Sequence, residues 1–221
     1  MIKFLPQIIN LLATIILLLS FAMISQRRIV SLINLFMAQG AALVAASFLL
    51  GYATNQPDLY ISGVLTLALK VVFIPWMLHR VIRKLNVRWD VETLLNIPTT
   101  MLMGIALVIL AFSLAAPVSR LSETLAGGSL GIALACILLS FMMMIMRSKA
   151  VPQVIGFLSM ENGLIFAATA VTNGMPMIVE FGIALDVLVG VLILGVFMFQ
   201  IREKFDSLDI RHLETLKDDR S

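Results

Sequence analysis

One cysteine and two histidines in 221 residues leave little for cofactor chemistry. Cys136 stands alone in an apolar run, so no disulfide, CxxC pair or cysteine-ligated cluster forms within the chain. His79 closes one apolar run and His212 lies in a polar tail, a placement that does not suit paired haem ligands. No glycine-rich phosphate loop, Ser/His/Asp set or metal-ligand spacing is present, which sets soluble-type catalysis aside. The chain is therefore expected to carry no metal, cofactor or redox centre of its own. Charge is scarce as well: 13% of residues are charged, against roughly a quarter in a soluble domain. The net charge of +3 is small, and its bases gather in loops on one side, the pattern of a membrane topology signal rather than of a nucleic-acid surface.

What the chain has in abundance is apolar surface. Hydrophobic residues make up 60% of it, in long runs that recur from end to end. A segment that spans a bilayer must satisfy its own backbone, which leaves helices or closed barrels. Alternating strand patterns are absent, so the expected fold class is an all-α integral membrane protein. Seven spans are predicted, at residues 4–24, 30–53, 59–82, 97–118, 129–146, 153–171 and 181–201. The first is too long, and too poor in flanking charge, to be a cleaved signal peptide. These spans group into a three-helix unit with a basic loop (1–96), a connecting helix with an outer loop (97–128), a second three-helix unit (129–201) and a polar tail (202–221).

Orientation follows from the bases. Arg27, Arg28, Arg80, Arg83, Lys84, Arg88, Arg147, Lys149, Arg202, Lys204, Arg211, Lys217 and Arg220 fall on one side, and only Lys3 and Arg120 on the other. The positive-inside rule then predicts an outer N-terminus and a cytoplasmic C-terminus, in the cell inner membrane. Trp76 and Trp89 flank the basic third loop as interface anchors. The loop from 83 to 96 mixes both charge signs and suits either the membrane surface or a cytoplasmic partner. In the tail, Leu208, Leu213 and Leu216 interleave with charges, a pattern compatible with a docking helix or with disorder.

Four polar groups sit where lipid-facing helices have none. Lys70 lies in the middle of the third span, Glu161 in the sixth and Asp186 in the seventh, with Glu180 at that span's mouth. Such groups are costly in a bilayer and mark functional sites by default. Taking a rise of ~1.5 Å per residue, Glu161 is placed ~12 Å from the basic side, Lys70 ~18 Å and Asp186 ~22 Å. Gln39 falls near the level of Glu161. Those gaps exceed a hydrogen bond, so proton transfer between the groups is expected to need water. Burial and a close ion pair act on protonation in opposite senses, and a carboxylate held between them can titrate near neutral pH. The plainer alternative is a static pair in which Lys70 neutralises Glu161 or Asp186. A snorkelling Lys70 is a third reading. Pro75, which removes a helix hydrogen bond, is expected to kink the span and admit water beside Lys70. Gly156 and Gly163 suit close helix approach around Glu161, while Asn162, next in sequence, is expected to point elsewhere. The methionines at 142, 143, 144 and 146 suit packing or lipid contact.

An internal echo links the two three-helix units. Ala68-Leu69-Lys70 matches Ala184-Leu185-Asp186, and Gln39 falls near the place of Glu161, as a parallel repeat would arrange them.

Nearly the whole chain resembles the hydrogenase-4 component E family, the small membrane subunit of group 4 membrane-bound nickel–iron hydrogenases such as formate hydrogenlyase. The stretches that carry the resemblance are LALKVVFIPWM, MRSKAVPQVIGFLSMENG, IVEFGIALDVLVGVLI and LDIRHLETLK. The last three spans are also similar to subunit K of respiratory complex I and to the C subunit of multisubunit sodium/proton antiporters. In that family two successive helices each carry a buried acid; Glu161 takes the first place, and Asp186, a shorter acid, the second. The resemblance implies a non-catalytic membrane-arm subunit in a complex that couples electron transfer to proton or sodium translocation. Glu161, Asp186, Lys70, Glu180 and Gln39 would line the ion path. The nickel–iron site and iron–sulfur clusters would belong to a cytoplasmic hydrogenase module docked on the loops and tail, with antiporter-like subunits beside the chain in the membrane. An assembly subunit that bridges those neighbours, and a subunit of another complex I-like oxidoreductase or antiporter, are the alternatives.

Overall fold

The computed structural model describes residues 5–85, 96–119 and 129–172, together with Leu188. The chain divides into two units, Met1–Asp186 and Val187–Ser221, and every helix below belongs to the first. The seventh predicted span, the tail, Trp89 and both Asp186 and Glu180 lie outside the described residues.

All regular structure among the described residues is helical, as an all-α membrane protein requires. Helix α1 (Leu5–Ser25) leads through a short turn into α2 (Ile29–Thr54). The third span is one continuous rod in three parts: α3 (Pro57–Thr66), a π-helical stretch (Leu67–Phe73) and α4 (Ile74–Leu85). Then come α5 (Ile97–Ser119), α6 (Leu130–Met146) and α7 (Ala150–Thr172). Five rods are long and apolar enough to cross a membrane, and α6 is a shorter apolar helix. These six correspond to the first six predicted spans, with ends shifted by up to three residues.

Local chemistry explains the breaks. Asn55 ends α2 in the left-handed conformation (φ 54°, ψ 36°), which Asn tolerates better than most residues, and its N–H returns to the Gly51 carbonyl. Pro57 then opens α3, where a missing N–H costs nothing.

Packing places α2 at the centre. Over half of its apolar window is buried (56%), against 22% for α5, which stands at the edge. Helix α2 touches α1, α3, the π stretch and α7, while α6 packs on α1, α5 and α7. The buried stripe of α1, Ile9, Ala13, Ile16, Ser20 and Met23, advances by four and three residues in turn, the seam spacing of a helix bundle. Opposite it, Leu11 and Leu18 are exposed, as lipid-facing residues are. Helices α6 and α7 meet backbone to backbone. A Cβ on Gly163 would sit 2.9 Å from Ile137 Cγ1 and 3.3 Å from the Ile137 nitrogen; one on Gly156 would sit 3.3 Å from the Ser140 carbonyl oxygen. The expected close approach at both glycines is therefore present. Met142, Met143 and Met146 are buried in the packing of α6.

Candidate functional site

The site is built on the middle of three helices. The π stretch carries Lys70, α2 carries Gln39 and Gly40, and α7 carries Glu161 and Asn162. Within Leu67–Phe73 the helix is wound wider, so that the Ile74 N–H reaches back five residues to the Leu69 carbonyl. The following residue, Pro75, has no N–H with which to continue that register. The distortion expected from Pro75 thus falls on the turn before it, which is the turn of Lys70. Such π turns recur at functional sites. Gly40 lets α2 lie against this turn: a Cβ there would meet Val71 Cγ2 at 3.2 Å and Lys70 Cβ at 3.8 Å.

Lys70 Nζ lies 3.2 Å from Glu161 Oε2, and both side chains are fully buried. This is the Lys70–Glu161 pair that is one of the readings open for the lysine, and it bears on the others. Lys70 does not snorkel, since none of it is exposed. The two groups are in direct contact rather than at separate depths. Both rods extend three residues further on the basic side than predicted, to Leu85 and from Ala150, so both groups shift by ~4.5 Å and their ~6 Å difference in backbone depth is unchanged; the long side chains, the lysine stem above all, span it. Finally, the opening beside Pro75 is lined by Val71 and Val72 and not by Lys70, which is in contact with the Glu161 carboxylate.

One residue away on both α2 and α7 runs a chain of neutral hydrogen bonds. Asn162 Nδ2 donates to Gln39 Oε1 (3.2 Å), Gln39 Nε2 donates to Ser20 Oγ (2.8 Å), and Ser20 donates to the Ile16 carbonyl (2.9 Å). All three side chains are buried, and Asn162 Oδ1 accepts no hydrogen bond among the described residues. Asn162 therefore does not point away: it joins the same polar layer through Gln39. A second buried contact, between the Ser140 and Ser159 hydroxyls at 2.7 Å, ties α6 to α7.

At the basic end, Arg147 is almost wholly buried. Its Nη2 donates to the carbonyls of Met23, Ile24 and Gln26 at 3.2, 2.9 and 2.8 Å. These carbonyls lie at the end of α1, where acceptors run short of helical donors and a cation is favoured, and that of Met23 also accepts the Gln26 N–H at 3.3 Å. Burial pushes its guanidinium down to about 10, so it remains charged at neutral pH. Sequence reasoning counted Arg147 only as a topology charge, and set Asn162 aside. Its rule that polar groups in a span carry meaning, extended from charges to amides, would have found Asn162.

Chemically, the layer holds one acid and one base in proton-transfer contact. The amides of Gln39 and Asn162 orient and donate, but an amide does not pass a proton on without tautomerising. No cluster of metal-ligating side chains is present among the described residues.

Fold and site together define a multi-pass helical membrane protein with a charged pair sealed in its core. Over 200 residues the chain is 32% identical to an uncharacterized protein, Rv0085, of Mycobacterium tuberculosis, covering 90% of this chain and 91% of that one. It belongs to the same family as that protein. It is also similar to hydrogenase-4 component E of Escherichia coli and of Shigella flexneri, in each case 24% identical over 211 residues, or 96% of this chain and 98% of the relative. No family model matches the chain, and no solved structure does.

Proposed function

We propose that this chain is a non-catalytic membrane-arm subunit of a membrane-bound hydrogenase complex related to respiratory complex I, and that Lys70 and Glu161 form part of its proton or sodium path. The observation that carries the reading is the fully buried Lys70–Glu161 contact on a π-distorted helix. A pair kept only for stability gains little over an apolar core, because desolvation offsets most of its attraction. Similarity to hydrogenase-4 component E along nearly all of the chain supports the assignment to such a complex. In this reading the basic loops face the cytoplasm, the nickel–iron and iron–sulfur centres sit in partner subunits, and antiporter-like subunits adjoin the chain. Asp186 and Glu180 extend the path from the subunit K-like helices.

The repeat also gains support. The Ser20–Gln39 and Ser140–Ser159 contacts each span 19 residues and join successive helices 120 residues apart in the chain. Under that offset Gln39 stands opposite Ser159, two residues from Glu161, and Lys70 opposite Gly190, four residues past Asp186, so the contacts support the helix pairing of the repeat and not its residue-by-residue match.

The test is Glu161→Gln in the intact complex. The expected result is normal assembly and hydrogenase turnover with ion translocation lost. Unchanged translocation would sink the relay reading. Failure to assemble would favour the assembly-subunit alternative, which the closeness of the pair also fits.

A further inference from the structure

Beside the π turn, α2 and α4 leave a groove of about 780 Å³. Its floor is apolar, formed by Met37, Val71, Val72 and Pro75. Asn34, His79 and Arg80 complete the lining, and each lies further toward the basic loops than the floor residues of its own helix. From Val71 to Arg80 the helix rises ~13 Å. That is close to half of the ~30 Å hydrocarbon core. The groove thus runs from mid-membrane to headgroup level along one leaflet.

The polar end is cationic. The Arg80 guanidinium carbon lies 5.3 Å from the centre of the Trp76 ring, which holds it at the rim by a cation–π contact. Among the described residues no acid lines the groove and Arg80 forms no ion pair. His79 Nδ1 donates to the Pro75 carbonyl (2.8 Å), so in the neutral ring Nε2 is left as an acceptor, suited to a headgroup hydroxyl, and it would donate to an anion only in the doubly protonated ring.

We propose that this groove is a binding site for an anionic phospholipid, with an acyl chain along Val71, Val72 and Pro75, the phosphate at Arg80 and the rest of the headgroup beside His79. An apolar channel one leaflet deep, ending in a cation with no acid beside it among the described residues, matches an acyl chain that hangs from an anionic headgroup. A zwitterionic lipid fills the same floor but brings the rim no net charge. A partner helix would need an acid of its own at the level of Arg80. The site stands apart from the reading of Lys70 and Glu161, although Val71 lines the groove and also abuts Gly40.

The chain has two tryptophans, so Trp89→Phe leaves Trp76 as a reporter at the groove. The full chain in bilayer nanodiscs is titrated with phosphatidylglycerol or phosphatidylcholine whose acyl chains carry bromine, which quenches tryptophan on contact. The expected result is an apparent association of Trp76 about fivefold tighter for phosphatidylglycerol. Adding His79→Gln and Arg80→Gln should bring the two lipids to parity while quenching persists. Val72→Phe, which fills the floor, should reduce quenching by both. Equal association with both lipids in the parent overturns the proposal, because it means bulk lipid without headgroup recognition. No quenching by either also overturns it, because it means that protein covers the groove.

Discussion

Removing one member of the buried pair should do more harm than removing both. At 3.2 Å and an effective dielectric of about 20, Lys70 and Glu161 attract by about 5 kcal/mol. Glu161→Gln or Lys70→Met alone leaves the surviving charge buried without its counter-ion, and such truncations typically cost about 3–5 kcal/mol. The survivor can change its protonation state, which caps the loss. The double variant removes both charges and both desolvation costs, so its stability should return to within about 1 kcal/mol of the parent. A four-corner cycle on the purified full chain, by reversible unfolding in mixed micelles, measures this coupling directly. A coupling of at least about 3 kcal/mol is expected. Single variants that each cost under about 1 kcal/mol and simply add in the double would refute the reasoning. The pair would then have no energetic existence of its own.

Further expectations concern the packing around it. Gly163→Ala presses on the Ile137 backbone as well as its side chain and should cost about 1–3 kcal/mol, whereas Gly40→Ala meets only Val71 and Lys70 side-chain atoms and should cost less; unfolding midpoints rank the two. Asn162→Leu leaves Gln39 Oε1 without its donor and should cost about 0.6–1.7 kcal/mol, with the Lys70–Glu161 coupling unchanged in the same cycle. Arg147→Ala removes three bonds to the end of α1 and should cost about 2 kcal/mol. It should also speed tryptic cleavage after Arg27 and Arg28, both exposed in the adjoining turn; unchanged cleavage would mean that Arg147 does not hold that turn.

Hydropathy made the spans legible because each is a long apolar run bounded by charge, and six of them coincide with described helices. Close approach of α6 and α7 was legible too, since Gly156 and Gly163 lie seven residues apart on one face. The groups that meet were named in advance, and their pairing stood as one of the alternatives. Depth estimated from rise places backbones, and the ~6 Å between the levels of Lys70 and Glu161 falls within the reach of two long side chains. The π turn has no residue signature beyond Pro75, and the close approach of α2 at Gly40 shows only once the helices are packed. Arg147 resembles any loop base until the end of α1 is brought beside it. Its partners are backbone carbonyls more than 120 residues away, and these leave no trace in a linear reading.

The central claim is that Glu161 changes its protonation while the complex works. Isotope-edited infrared difference spectroscopy on the assembled complex, with labelled glutamate and Glu161→Gln as the control, tests it most directly. A carboxylic-acid band that rises and decays with turnover, and is missing in the variant, is the predicted result. A Glu161 that stays ionised throughout turnover would contradict the account and leave the pair as a structural one.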